Sequence, residues 1–144
     1  MATQAQLVLT SDVSGDPTNV DTGLITLTKA GGTNELDQTT GLNRVHLRST
    51  TQKVLLAANA EGDNLAAKVY IINKSDDASL YLTVSINAQS IGKLYGGDFM
   101  FIPWSQTDTA ASIKVAATNW TSSTGDIPVE YAVFHEDTDF LTNA

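Results

Sequence analysis

Side chains that transfer protons, attack carbonyls or hold metals are scarce in this chain. His46 and His135 are its only histidines, each on the polar phase, or at the end, of a segment that alternates like a strand. An exposed, non-catalytic imidazole is expected at both. No Gly-x-Ser-x-Gly elbow, His-Glu-x-x-His pair or Gly-Lys-Ser/Thr phosphate loop occurs. Cysteine is absent, which removes disulfides, thiolate zinc sites, iron–sulfur clusters and cysteine nucleophiles. Sixteen carboxylates could supply the pair that glycoside hydrolysis uses, but most lie in turn clusters. Asp12 with Asp16, Asp76 with Asp77, and Asp137 with Asp139 raise calcium as the metal to consider. None is spaced as a ligand loop closed by a bidentate Glu, so turn capping is the expected role and no metal or cofactor is expected. Asn73-Lys74-Ser75 and Asn119-Trp120-Thr121 fit the glycosylation pattern, but a chain this rich in Asn, Ser and Thr produces such matches by chance. Three aromatics, Tyr95, Trp104 and Trp120, fall in or beside expected loops, where they could stack on sugar rings. Core filling is the competing role for them.

Charge narrows the partners. The formal charge is −8 with only eight Lys plus Arg, which opposes binding to a polyphosphate, so no nucleic-acid partner is expected. Met1 to Gln6 lacks a basic start followed by an apolar run, and no apolar stretch approaches the roughly 20 residues of a membrane span. Neither a signal peptide nor membrane insertion is expected.

The elements that must position any site are strands. Twelve of the sixteen acidic residues are Asp and four are Glu, a skew toward turn formers, while Val, Ile and Thr are abundant. From Ser79 to Ile86, Leu80, Leu82, Val84 and Ile86 alternate with polar neighbours or Tyr81, the period of a strand with one buried face. Val69 to Ile72 precedes it across the turn-forming run Asn73 to Asp77, a spacing that suits an antiparallel hairpin. Further strands are expected over Leu7 to Leu9, Gly23 to Lys29, Arg44 to Thr50, Lys53 to Ala58, Phe99 to Ile102, Ser112 to Ala117 and Val129 to His135. Eight or nine short strands in 144 residues predict one all-β domain over residues 1–144, an antiparallel β-sandwich with Greek-key or jelly-roll connections. Residues 1–6 and 137–144 are expected to be loose tails. Gly31 to Asn43 is expected to be a polar loop or a partner-binding arm.

One segment breaks the alternation. Phe99 to Ile102 is apolar on both phases. If Phe99 and Phe101 face the core, Met100 and Ile102 face outward, where they would join Ile72 and Phe134, the out-of-phase apolar residues of two other strands. Such a patch marks a partner surface on a soluble chain, so these four residues are the candidate interface.

The order Ile71-Ile72-Asn73, LYLTVSI, SIGKL-x-GGD-x-x-x-IP, IKVAA and VEYAVFHE, from Lys68 to Glu136, resembles small β-sandwich virion proteins of tailed bacteriophages, most closely their head-decoration, or cement, proteins. The resemblance implies a non-enzymatic homotrimer on the outer surface of the head, bound to the major capsid protein and stabilising the shell. A glycan-binding fibre or baseplate module, using Tyr95, Trp104 and Trp120, is the alternative.

Overall fold

The computed structural model describes residues 2–12, 18–28, 36, 38–57, 66–105 and 112–135. Among them no helix occurs, and thirteen strands follow in order: β1 (Gln4–Ala5), β2 (Val8–Ser11), β3 (Thr18–Asp21), β4 (Ile25–Thr26), β5 (Gln38–Thr39), β6 (Asn43–Leu47), β7 (Lys53–Leu56), β8 (Ala66–Asn73), β9 (Tyr81–Ile86), β10 (Gln89–Tyr95), β11 (Phe99–Ser105), β12 (Ile113–Ala116) and β13 (Ile127–His135). The expected 137–144 tail lies outside the described residues.

Two antiparallel sheets carry the fold. One has the order β10-β9-β12-β7, and the other β11-β8-β13, with β6 and β5 pairing different stretches of β13. From β6 onward the chain changes sheet at every connection except β9 to β10, which with these strand orders is an eight-stranded jelly roll. The expected eight or nine strands therefore describe the sandwich. The extra ones are short strands before residue 40, among which β2 pairs with β3 and β1 with β4.

Alternation explains which faces meet. Leu82 and Val84 of β9, Ile113 and Val115 of β12, Val69 and Ile71 of β8, and Val129 and Val133 of β13 are all fully buried in one cluster between the sheets. The register is consistent with this: Ile71 pairs Tyr131 and Met100, and Val129 pairs Asn73 and Val45, all inward-facing.

Three corrections to the sequence reading concern the elements and their connections. First, β8 and β9 are not a hairpin: they belong to opposite sheets, and residues 74–80 step across the roughly 10 Å between them. Turn-forming residues serve a sheet-crossing corner as well as a hairpin, so composition does not separate the two. Second, β10 was not expected as a strand. It pairs β9 through a two-residue turn, Asn87-Ala88, with both residues at positive φ (54° and 58°). Such turns usually announce themselves by Asn-Gly, and here Ala stands in the Gly place. A register shift between Ser90 and Gly92 also leaves Ile91 opposite no residue, breaking the alternation.

Third, the N-terminal residues are not a loose tail, and the polar stretch 31–43 is not wholly a loop. Thr3 N–H donates to Leu36 O (2.8 Å), Leu36 N–H to Leu27 O (2.9 Å) and Leu27 N–H to Thr3 O (2.9 Å). Leu36, one of two leucines in that polar stretch, is fully buried. Gln38–Thr39 within the same stretch forms β5 on β13.

Leu82→Ala is expected to cost about 2–5 kcal/mol in urea-unfolding stability, and Thr83→Ala much less. Thr83 is half-buried, with its hydroxyl 2.8 Å from that of Thr118. Ala88→Gly is expected to raise stability by about 1 kcal/mol, because a Cβ at positive φ is strained and glycine relieves it.

Candidate interaction surface

Strand β11 runs Phe99-Met100-Phe101-Ile102-Pro103-Trp104-Ser105. Its phase is the reverse of the sequence expectation. Met100 and Ile102 pack against the core and Trp104 is 5% exposed, whereas Phe99 and Phe101 are 57% and 39% exposed on the outer face. The reason lies in the strand's length. Ended at Ile102, the segment offers two phenylalanines against two aliphatics. Extended to Ser105, it sets Met100, Ile102 and Trp104 against Phe99, Phe101 and Pro103, and the heavier, proline-free set takes the core.

The outward apolar patch survives with different members. Across the sheet, Phe99 lies opposite Ile72, and Ile72 opposite Glu130. Phe101 lies opposite Tyr70, and Tyr70 opposite Ala132. Lys68 separates Pro103 from Phe134 in the third row. Ile72 and Phe134 thus face outward as expected, half-buried, while Met100 and Ile102 leave the patch. Two tilted aromatic pairs knit the patch together: Tyr70 with Phe99 and Phe101 with Phe134, each with ring centroids 6.4 Å apart, within the range of favourable edge-to-face contact. At its margin the Arg44 guanidinium bonds the Glu130 carboxylate, with Nε 3.1 Å from Oε1, and this hydrogen bond holds the Glu130 carboxyl below its usual range.

The N-terminal strands extend this surface. Ala5, Gln6, Leu7, Thr22, Ile25 and Leu27 form one wall of an apolar cleft of about 520 Å³, and Tyr70, Phe99, Met100 and Phe101 form the other. Sequence reasoning found the patch from the breach of alternation. It missed the cleft, because only the fold brings residues 5–7 and 22–27 beside β11.

The glycan-stacking set does not assemble. Trp104 is in the core, paired with Ala67 at the end of β11 away from Asn73. Tyr95 and Trp120 belong to the opposite end, where Asn73 bonds Leu94 and Asn119 bonds Tyr81. Tyr95 is exposed and packs on Tyr81 at 5.1 Å, and the Trp120 indole N–H is buried.

The histidines are also apart. His46 is exposed on β6 opposite Pro128, but His135 is 7% exposed, a correction to the expected surface imidazole. It continues the inward phase of Val133 at the far end of β13, roughly 20 Å or more from the Pro128 position at 3.3 Å per residue.

Among the described residues no three His, Cys, Asp or Glu side chains come together as a metal site. Asp77 caps a turn: its Oδ1 accepts from Ser79 Oγ (2.6 Å) and Ser79 N–H (2.9 Å), which lowers its pKa. Asp16, Asp137 and Asp139 lie outside the described residues. Both sequon asparagines have structural roles. Asn73 is fully buried, and Asn119 accepts from Tyr81 N–H (3.1 Å) and donates to Ser79 O (2.7 Å), prolonging the pairing along β9.

The phase of β11 is open to direct test. Met100→Asp places a carboxylate against the core and is expected to lower unfolding stability by more than about 3 kcal/mol, whereas Phe101→Asp is expected to change it by about 1 kcal/mol or less. Equal losses in urea titration would show the strand phase to be wrong. No protein-family model, no curated protein and no solved structure matches the chain.

Proposed function

We propose that this chain is a non-enzymatic structural protein of a virus particle, a head-decoration or cement subunit. In this reading it sits as a homotrimer on the outer surface of the capsid, binds the major capsid protein and stabilises the lattice. The observation that carries the interaction role is the outward apolar row of Phe99, Phe101, Tyr70, Ile72 and Phe134, flanked by an apolar cleft. Solvent does not select two half-exposed phenylalanines side by side on one strand, and contiguous patches of this kind mark partner surfaces. The capsid as partner rests on the resemblance of the ordered segments from Lys68 to Glu136 to phage decoration proteins.

Two further features are compatible. Jelly rolls recur in viral capsid domains and in lectins, so the fold alone chooses neither, and the burial of Trp104 weighs against the sugar-stacking alternative. A formal charge of −8 suits a protein that stays outside the shell, away from packaged nucleic acid.

Capsids assembled without the chain are the direct test. The purified protein is expected to bind them and raise their thermal stability, and to remain bound at about 0.5 M salt, since apolar contacts are little affected by screening. Phe99→Ser with Phe101→Ser is expected to weaken binding while the β spectrum is kept. Failure to bind, release at moderate salt, or a measurable affinity for DNA would overturn the reading.

A further inference from the structure

Strand β11 has a partner on one side only. It pairs β8, and among the described residues no strand lies along its other edge. Pro103 has no N–H to give, and a proline is tolerated within a sheet where its nitrogen points away from the ladder. Phe99 and Phe101 share the phase of Pro103, so their N–H and C=O groups point to the open edge. The cleft beside this edge is lined by Phe99 and Phe101 from the outer face of β11 and by Met100 from the inner one. Tyr70 of β8 lines it as well, so the cleft crosses the outer face of β11 and reaches the strand's inner phase at Met100. An added strand would find backbone partners and apolar walls together.

The same chain carries a ribbon with the opposite deficit. The β2–β3 hairpin is exposed along nearly its whole length, on both faces. An isolated two-stranded ribbon is marginal in water. Leu9 and Val20 are direct cross-strand partners, 51% and 39% exposed. They extend the face of Leu7, which lines the cleft of its own chain. Among the described residues no charged side chain lines the cleft, and Asp21 sits at one end of the ribbon's pairing with Asp12 just beyond the other, so docking the middle of the ribbon desolvates none of these charges.

We propose that the β2–β3 hairpin of one copy docks along the open edge of β11 in a second copy, with Leu9 and Val20 entering the cleft beside Phe99 and Phe101. The proposal deepens the reading above, on whose self-association it rests, by naming the contact. Area supports a second copy as the occupant. Leu7, Val8, Leu9, Val20, Ile25, Phe99 and Phe101, each 39–57% exposed, leave on the order of 600 Å² of apolar surface open. That is the upper end for a monomer, and since one contact joins the hairpin share of one copy to the cleft share of the next, it corresponds at the usual ~57% apolar fraction to an interface on the order of 1,000 Å² in total, the least a specific contact needs. Hairpin and cleft are different surfaces, so the contact is heterologous and can be passed from copy to copy until a ring closes.

Because the chain has no cysteine, disulfide trapping reads the contact directly. Leu9→Cys protein is mixed with Phe101→Cys protein under mild oxidation, and the mixed disulfide is identified by mass. It is expected to form roughly tenfold or more faster than with Ser123→Cys, an exposed control on the β12–β13 connection, because docking raises the local thiol concentration. In parallel, Leu9→Ser with Val20→Ser is expected to convert the multimer seen by light scattering to monomer without loss of the β spectrum. A multimer that ignores both substitutions and shows no preferential trapping would overturn the hairpin contact while leaving self-association standing. A wild-type chain that is monomeric at every concentration would overturn both.

Discussion

The side chain of Asn73 ties the two sheets together at one end of the sandwich. It closes β8 in one sheet, and its Nδ2 donates to Leu80 O (3.0 Å), just before β9, and to Leu94 O (2.9 Å) on β10, both belonging to the other sheet. Its Oδ1 accepts from Ser75 N–H (2.9 Å), its own N–H donates to Asp98 O (3.0 Å) and its C=O accepts from Gly97 N–H (2.9 Å). A fully buried amide is costly when any of these groups lacks a partner, and here every one has a partner. Two sheet-crossing connections, 74–80 and 96–98, are thereby fixed against each other. Gly96 completes the junction, since a Cβ there would stand 2.4 Å from Asp77 O.

What this junction fixes has consequences at the edge of the sheet. Once β10 and β11 are joined through Gly96 and Gly97, with β10 on β9 and β11 on β8, both become outermost strands on the same side of the sandwich. The β11 edge is left open beside the cleft, and the aromatic row of the outer face runs up to it. The interaction surface is thus a by-product of how the sheets are connected. Its members come from residues 5–7, 22–27, 70–72, 99–101 and 134, which no local pattern links.

The chain's chemistry and its fold point the same way. The two histidines are far apart, His46 opposite Pro128 near one end of β13 and His135 at the other. Asp77, Asp98, Asn73 and Asn119 have backbone-capping or sheet-tying roles. Among the described residues that sequence patterns would nominate for calcium or glycosylation, Asp77, Asn73 and Asn119 are engaged by backbone groups at turns and strand ends. Apolar residues that the core did not need are what remain exposed.

The sequence by itself determined the all-β class, the inward faces of β8, β9, β12 and β13, and the existence of an outward apolar patch. The first two follow from alternation at period two and the third from its breach, and both are local signals that survive in any arrangement of strands. Tertiary structure alone decided which strands share a sheet, because the turn chemistry of Asn73 to Asp77 serves a hairpin and a sheet-crossing corner equally well. It also decided the phase of β11. Both phases there are apolar, and only the burial of Trp104, two residues beyond the expected strand end, commits Phe99 and Phe101 to the surface. The docking of residues 5–7 and 22–27 beside that strand was equally invisible, since its anchor is Leu36, a single buried leucine within a polar stretch, held by backbone hydrogen bonds that no side-chain pattern encodes.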